Sequence, residues 1–112
     1  MVLDWIKYPN GNWCDLLGLN LDDAHFNNMD GVYIIWSNKG YTVRIGQGIV
    51  KDRFTDHRGN RLILNHPVLF ATWAKVPAHL KDGVERYLAN VLKPVVGDAF
   101  PQVAPIQVNL PW

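Results

Sequence analysis

Residues 31–46 read GVYIIWSNKGYTVRIG, and Gln47-Gly48 follow directly. Val32 to Trp36 is β-branched and aromatic, a composition suited to a half-buried pleated strand. Ser37-Asn38-Lys39-Gly40 is turn material, and Tyr41 to Ile45 alternates apolar with polar residues, so the stretch predicts a β-hairpin. With a two-residue loop, Ser37 pairs with Gly40 and Tyr33 falls opposite Arg44. Alternation then places Tyr41, Val43 and Ile45 on one face and Thr42 and Arg44 on the other. A slip of one residue would separate Tyr33 from Arg44.

Outward from the hairpin, Gly46-Gln47-Gly48 ends the second strand, and Ile49 to Arg58 has helical character until Gly59-Asn60 stops it. Val50 and Phe54 are one turn apart and suit a core face, while Arg53 and His57 share another stripe. Val68 to Val76 predicts a buried third strand. Pro77 then opens a helix running to about Leu92, with Pro94 beyond its end. Leu80, Val84, Leu88 and Val91 form its apolar stripe, and Glu85 lies beside that stripe. Upstream, residues 1–30 are rich in Asn and Asp, with a short helix expected from Leu21 to Met29 capped by Asn20. Residues 101–112 are proline-rich and expected to run extended. The architecture predicted is α/β: one domain over residues 1–112, with a small, mainly antiparallel sheet of three strands flanked by helices and residues 1–30 as an N-terminal extension.

The 112 residues match the usual size of one domain, and 48% hydrophobic content with five tryptophans excludes a disordered chain. Cys14 is the single cysteine, which excludes an internal disulfide and a Cys-rich zinc site and fits a reducing compartment. No apolar run reaches membrane-spanning length and the start has no signal-peptide pattern, so a cytoplasmic protein without membrane contact is expected. The net charge is only +1, yet Lys39 to Arg61 holds six basic residues against Asp52 and Asp56. That asymmetry predicts one basic face suited to phosphate, made by Arg44, Lys51, Arg53, Arg58 and Arg61 with Gln47 among them. A solvated helix face explains the same run equally well.

Taken in order, Gly31-Val32-Tyr33, Arg44-Ile45-Gly46, Arg53, His57, Glu85 and Asn109 resemble the GIY-YIG nuclease superfamily, over roughly residues 31 to 109. Tyr33 matches the family's first catalytic tyrosine and Gly46 the glycine of its second tripeptide. Arg53 and His57 match the following helix, Glu85 the metal-binding glutamate, and Asn109 a late asparagine. The departure is Arg44, which stands where the family has a second tyrosine. The resemblance implies a divalent-metal-dependent endonuclease that hydrolyses DNA, or RNA, with Mg²⁺ or Mn²⁺ held by Glu85 and phosphate by Arg53. Tyr33 or His57 would orient or deprotonate the attacking water. Low intrinsic sequence specificity or a partner subunit follows from the small size of the domain.

Every one of these residues also has an ordinary structural explanation. Tyr33 suits a core, Arg53 an ion pair with Asp56, His57 a helix C-terminus, Glu85 a pair with Lys81, and Asn109 a turn. Arg44 has two readings: a guanidinium replacing the tyrosine's hydrogen bond to phosphate, or a lost hydroxyl that leaves an inactive nucleic-acid-binding domain. A third class, a protein-interaction module, rests on the five tryptophans and terminal Trp112.

Overall fold

The computed structural model describes residues 1–97 and 99–112. Its centre is an antiparallel sheet of four strands, β1 (Cys14–Asp15), β2 (Asp30–Ser37), β3 (Thr42–Ile49) and β4 (Leu69–Lys75), in the order β1-β4-β2-β3. The helices are α1 (Val50–Arg58), α2 (Arg61–Leu64) and α3 (Lys81–Leu92), with 3₁₀ turns at Ala24–Phe26 and Ala78–Leu80. The sheet therefore has one strand more than the three expected. β1 is two residues long, too short to leave a periodic signal.

The hairpin forms with a different register. Tyr33 pairs with Gly46 and Ile35 with Arg44, whereas Trp36 pairs with Thr42, so Val43 is the extra residue of a β-bulge. A longer turn replaces the two-residue loop: Ser37 N–H donates to the Tyr41 carbonyl at 3.0 Å and Gly40 N–H to that of Ser37 at 2.9 Å. Below the bulge the pairing is displaced by two residues from the expected one, which preserves parity. Tyr33 and Arg44 thus remain on one face as diagonal neighbours. The bulge also overturns the simple alternation, since Val43 packs with Tyr33 and Ile35 while Ile45 packs on the other face.

Each face of the sheet carries a core. On one, Tyr33, Ile35, Ala71 and Trp73 meet Val50 and Phe54 of α1 and Ile63 of α2; on the other, Val32, Ile34, Ile45 and Ala74 meet Val84 and Leu88 of α3. Complete burial of a side chain such as Phe54 is worth roughly 1.5–3 kcal/mol. Residues 1–30 belong to this packing, because Leu16, Leu19, Leu21 and Phe26 complete the first core and Leu3 the second. The helix expected from Leu21 to Met29 is only the 3₁₀ turn, and its cap is Asp23, whose carboxylate accepts the His25 N–H at 2.9 Å. Asn20 binds the Asp22 N–H instead, at 3.1 Å. Such side chains compete for backbone donors and favour turns over continued helix.

On α3 the buried stripe is Gly83, Val84, Glu85, Leu88 and Ala89, while Val91 is exposed. Lys93 closes the helix in the left-handed region, at φ 48°. The C-terminal segment runs without regular structure and packs through Ile106, Val108 and Leu110 on the α3 side. Trp13, Trp36, Phe70 and Trp112 form an aromatic group there, in which Trp36 is buried and Trp112 exposed. Among the described residues no helix is long and apolar enough to cross a membrane.

Candidate active site

The site forms where the edge strand β3 runs into α1. Tyr33 projects from β2 beneath Gly46, its cross-strand partner, and a Cβ built on Gly46 would overlap the tyrosine hydroxyl. Glycine at this position is thus a condition for the hydroxyl to pass under the edge strand. There it meets His57, with Oη and Nε2 2.5 Å apart. The Phe54 ring packs edge-on against Tyr33 at 5.3 Å and fixes the tyrosine's tilt. Sequence spacing paired His57 with Arg53, but the helix buries His57 with Val50 and Phe54, an i, i+4, i+7 face, and leaves Arg53 outside.

Arg44 reaches the same place from β3. Its guanidinium packs against Gly97, whose φ of +98° and missing Cβ leave the room for it. The Arg44 Nε is buried without a hydrogen-bond partner. Its positive charge favours ionised Tyr33 and ionised Glu85 and opposes protonation of His57, so it lies within electrostatic reach of all three. Arg53 acts on Tyr33 and His57 in the same senses, more weakly. Arg53 also pairs with Asp56 at 2.9 Å, but an exposed i, i+3 pair of this kind contributes only about 0–1 kcal/mol. Arg53 can therefore leave Asp56 at small cost.

Burial decides the protonation states of the unliganded site. It raises Tyr33 above the ordinary phenol value despite Arg44, so Tyr33 is neutral. Burial lowers His57 to about 4, with Arg44 and then Arg53 adding to the effect and Asp56 opposing it. Burial raises Glu85, partly offset by a hydrogen bond from Gln47 and by Arg44. These shifts have a stability consequence with a definite sign. Because the folded-state pKa of His57 lies below its unfolded value, its contribution is complete above about pH 6.5 and is lost as pH falls toward about 4. The loss is about 3 kcal/mol for a drop of that size. His57→Asn should therefore flatten the acid limb of the urea midpoint between pH 7 and pH 4, and an unchanged limb would show that His57 is not the titrating group.

The remaining candidates divide. Gln47 donates from Nε2 to Glu85 Oε1 at 2.9 Å and also to Asp82 Oδ1. Lys51 pairs with exposed Asp22 at 3.0 Å. The Arg58 guanidinium donates to the Leu16 and Leu19 carbonyls and so ties the N-terminal segment to α1. Arg61 is exposed on α2. The single basic face expected from Lys39 to Arg61 is therefore partly neutralised and partly structural. Asn109 is not brought to the group: its Oδ1 accepts the Leu3 N–H at 2.6 Å and its Nδ2 donates to the Leu3 carbonyl at 3.0 Å, pinning the two terminal segments together.

No protein-family model, curated protein or solved structure matches this chain. What the site can do therefore follows from its own residues. Among the described residues no three His, Cys, Asp or Glu side chains cluster as a metal cage. Two carboxylates, Glu85 and Asp82, do converge on the Gln47 amide. All-oxygen donors fit a hard cation such as Mg²⁺ or Mn²⁺, which keeps several waters and needs few protein ligands. Asp82 is the residue that sequence reading missed. The signal was present, since Asp82 and Glu85 are three apart and share a helix face.

Proposed function

We propose that this chain is a divalent-metal-dependent endonuclease with a GIY-YIG-like fold, hydrolysing DNA phosphodiester bonds at the sheet edge where Tyr33, Arg44, Arg53, His57 and Glu85 lie. The observation that carries the reading is the Tyr33–His57 contact beneath Gly46, with the Arg44 charge within reach of both residues and of a buried carboxylate. This is the equipment of phosphoryl hydrolysis, in which negative charge grows on the phosphate oxygens while water must lose a proton.

Arg44 and Arg53 would bind the scissile phosphate, the first as a permanent charge in place of a hydroxyl. A phosphate between them offsets the two charges that oppose protonation of His57, so substrate binding itself makes His57 the better base. Neutral Tyr33 then serves as a shuttle: its hydroxyl proton passes to His57 Nε2 as Oη accepts a proton from the attacking water. The tyrosine ends as it began, and no free tyrosinate is required. Glu85 would hold Mg²⁺ or Mn²⁺, which would supply charge neutralisation and a more acidic bound water.

A second reading, a nucleic-acid binder without catalysis, is favoured by one feature, the burial that leaves Tyr33 about 1% exposed. Incubation with single-stranded, duplex and branched DNA, with Mg²⁺ or Mn²⁺ and with chelator, separates the two. Metal-dependent cleavage is the expected result, and binding without cleavage of any substrate would select the binder. Arg44→Gln should weaken DNA binding and lower the slope of log affinity against log salt by about 0.7–0.9, as for one lost phosphate contact. An unchanged slope would place Arg44 outside the phosphate path.

A further inference from the structure

Gln47 occupies a position that no catalytic role explains. It pairs with Val32 and lies on the face of β3 turned toward α3, opposite to the face that carries Tyr33. Its amide nitrogen contacts two carboxylates on α3, Glu85 Oε1 at 2.9 Å and Asp82 Oδ1. An ionised carboxylate only accepts hydrogen bonds, so both partners demand the –NH₂ end of the amide and exclude the flipped orientation. Both contacts are made by the amide nitrogen, which has one N–H for each carboxylate. Glu85 is buried on a helix stripe while Asp82 is exposed, so the exposed residue anchors the amide and the amide anchors the buried residue.

We infer that Asp82 and Gln47 form a positioning relay that holds the Glu85 carboxylate in one orientation, occupying Oε1 and directing Oε2 to the cation. The inference rests on the proposed role of Glu85. Among the described residues no hydrogen bond engages Oε2. Without the relay, the Glu85 carboxylate loses its hydrogen-bonded anchor, and packing around the buried stem does not by itself choose between orientations of the terminal carboxylate. Outer groups of this kind commonly change metal affinity by about 10–100-fold when removed.

The test uses the full chain and Mn²⁺ as probe, with free Mn²⁺ followed by its paramagnetic resonance signal. Gln47→Met, which preserves bulk and removes both donors, should weaken Mn²⁺ binding by about 10–100-fold. DNA affinity in chelator should stay within about threefold, because the relay acts on the carboxylate and not on phosphate. The Mn²⁺ concentration for half-maximal cleavage should rise with the dissociation constant, with the rate at saturating Mn²⁺ much less affected. Asp82→Leu is the second variant, since it removes the anchoring acceptor from an exposed residue and leaves the core untouched; it should weaken Mn²⁺ binding in the same direction, and Asp82→Asn, whose Oδ1 still accepts the Gln47 N–H, should weaken it less. Wild-type Mn²⁺ binding that is abolished in Glu85→Gln but unaltered in both relay variants would overturn the relay and leave the nuclease reading standing. Wild-type protein that binds no Mn²⁺, or binding that survives Glu85→Gln, would overturn both.

Discussion

Glu85→Gln is expected to abolish metal-dependent cleavage, with a loss of at least about 10²-fold, the scale of one preorganised charge in such a site. The substitution keeps the shape of the side chain, and the new amide carbonyl still accepts the Gln47 N–H, so the local packing survives. It removes the charge proposed to place a cation and leaves Asp82 on the Gln47 amide. Stability should not fall, because burial already disfavours the ionised carboxylate and a neutral amide escapes that penalty. Binding of DNA in chelator should hold or tighten slightly, since a negative charge near the phosphate path is gone. The decisive measurements are cleavage rate in Mg²⁺ and the thermal midpoint of the same preparation. Full activity in Glu85→Gln would refute the proposed metal site, while a collapsed midpoint would make the loss of rate uninformative and require Asp82→Asn in its place.

Gly46→Ala should do nearly as much damage with one methyl group. The added Cβ would overlap the Tyr33 hydroxyl and stand 2.5 Å from ring carbon Cζ, and the fully buried Tyr33 ring has no free direction in which to retreat. Phe54 blocks one side and the sheet the other. Either Tyr33 tilts and leaves His57, or β3 moves away from β2. Overpacking of this kind costs about 1–3 kcal/mol, and separating the proposed proton-transfer pair should lower any cleavage rate by about 10²–10⁴-fold. Adding Tyr33→Phe to Gly46→Ala removes the most severe overlap, so the double variant should regain part of the stability and none of the activity. A Gly46→Ala protein that cleaves DNA at the wild-type rate would falsify the claim that the hydroxyl must pass beneath the strand.

Much of the architecture was legible before any coordinates. The hairpin of β2 and β3, the helix α1 from Val50 to Arg58, strand β4 and helix α3 ending before Pro94 all follow from alternation, 3.6-residue periodicity and Gly or Pro punctuation. Those signals act within one element, where the chain's own pleat or turn dictates which side chains share a face. The β1 pairing left no such signal, and the Leu21–Met29 helix gave way to Asx-capped turns.

The candidate site divides along the same line. That Tyr33 and Arg44 share a face was readable by parity, and parity survived because the bulge at Val43 and the longer turn together displaced the register by two residues. Four things were decided only by tertiary structure: His57 meeting the Tyr33 hydroxyl, the Asn109 amide going to Leu3, Arg58 holding the N-terminal segment, and Gln47 joining Asp82 to Glu85. Each is a meeting between residues remote in sequence. The sequence by itself determined which groups were present and which neighbours shared a face. Their partners across the sheet edge depended on how two cores, one on each side of the sheet, set the approach of α1 and α3, and no local pattern encodes that distance.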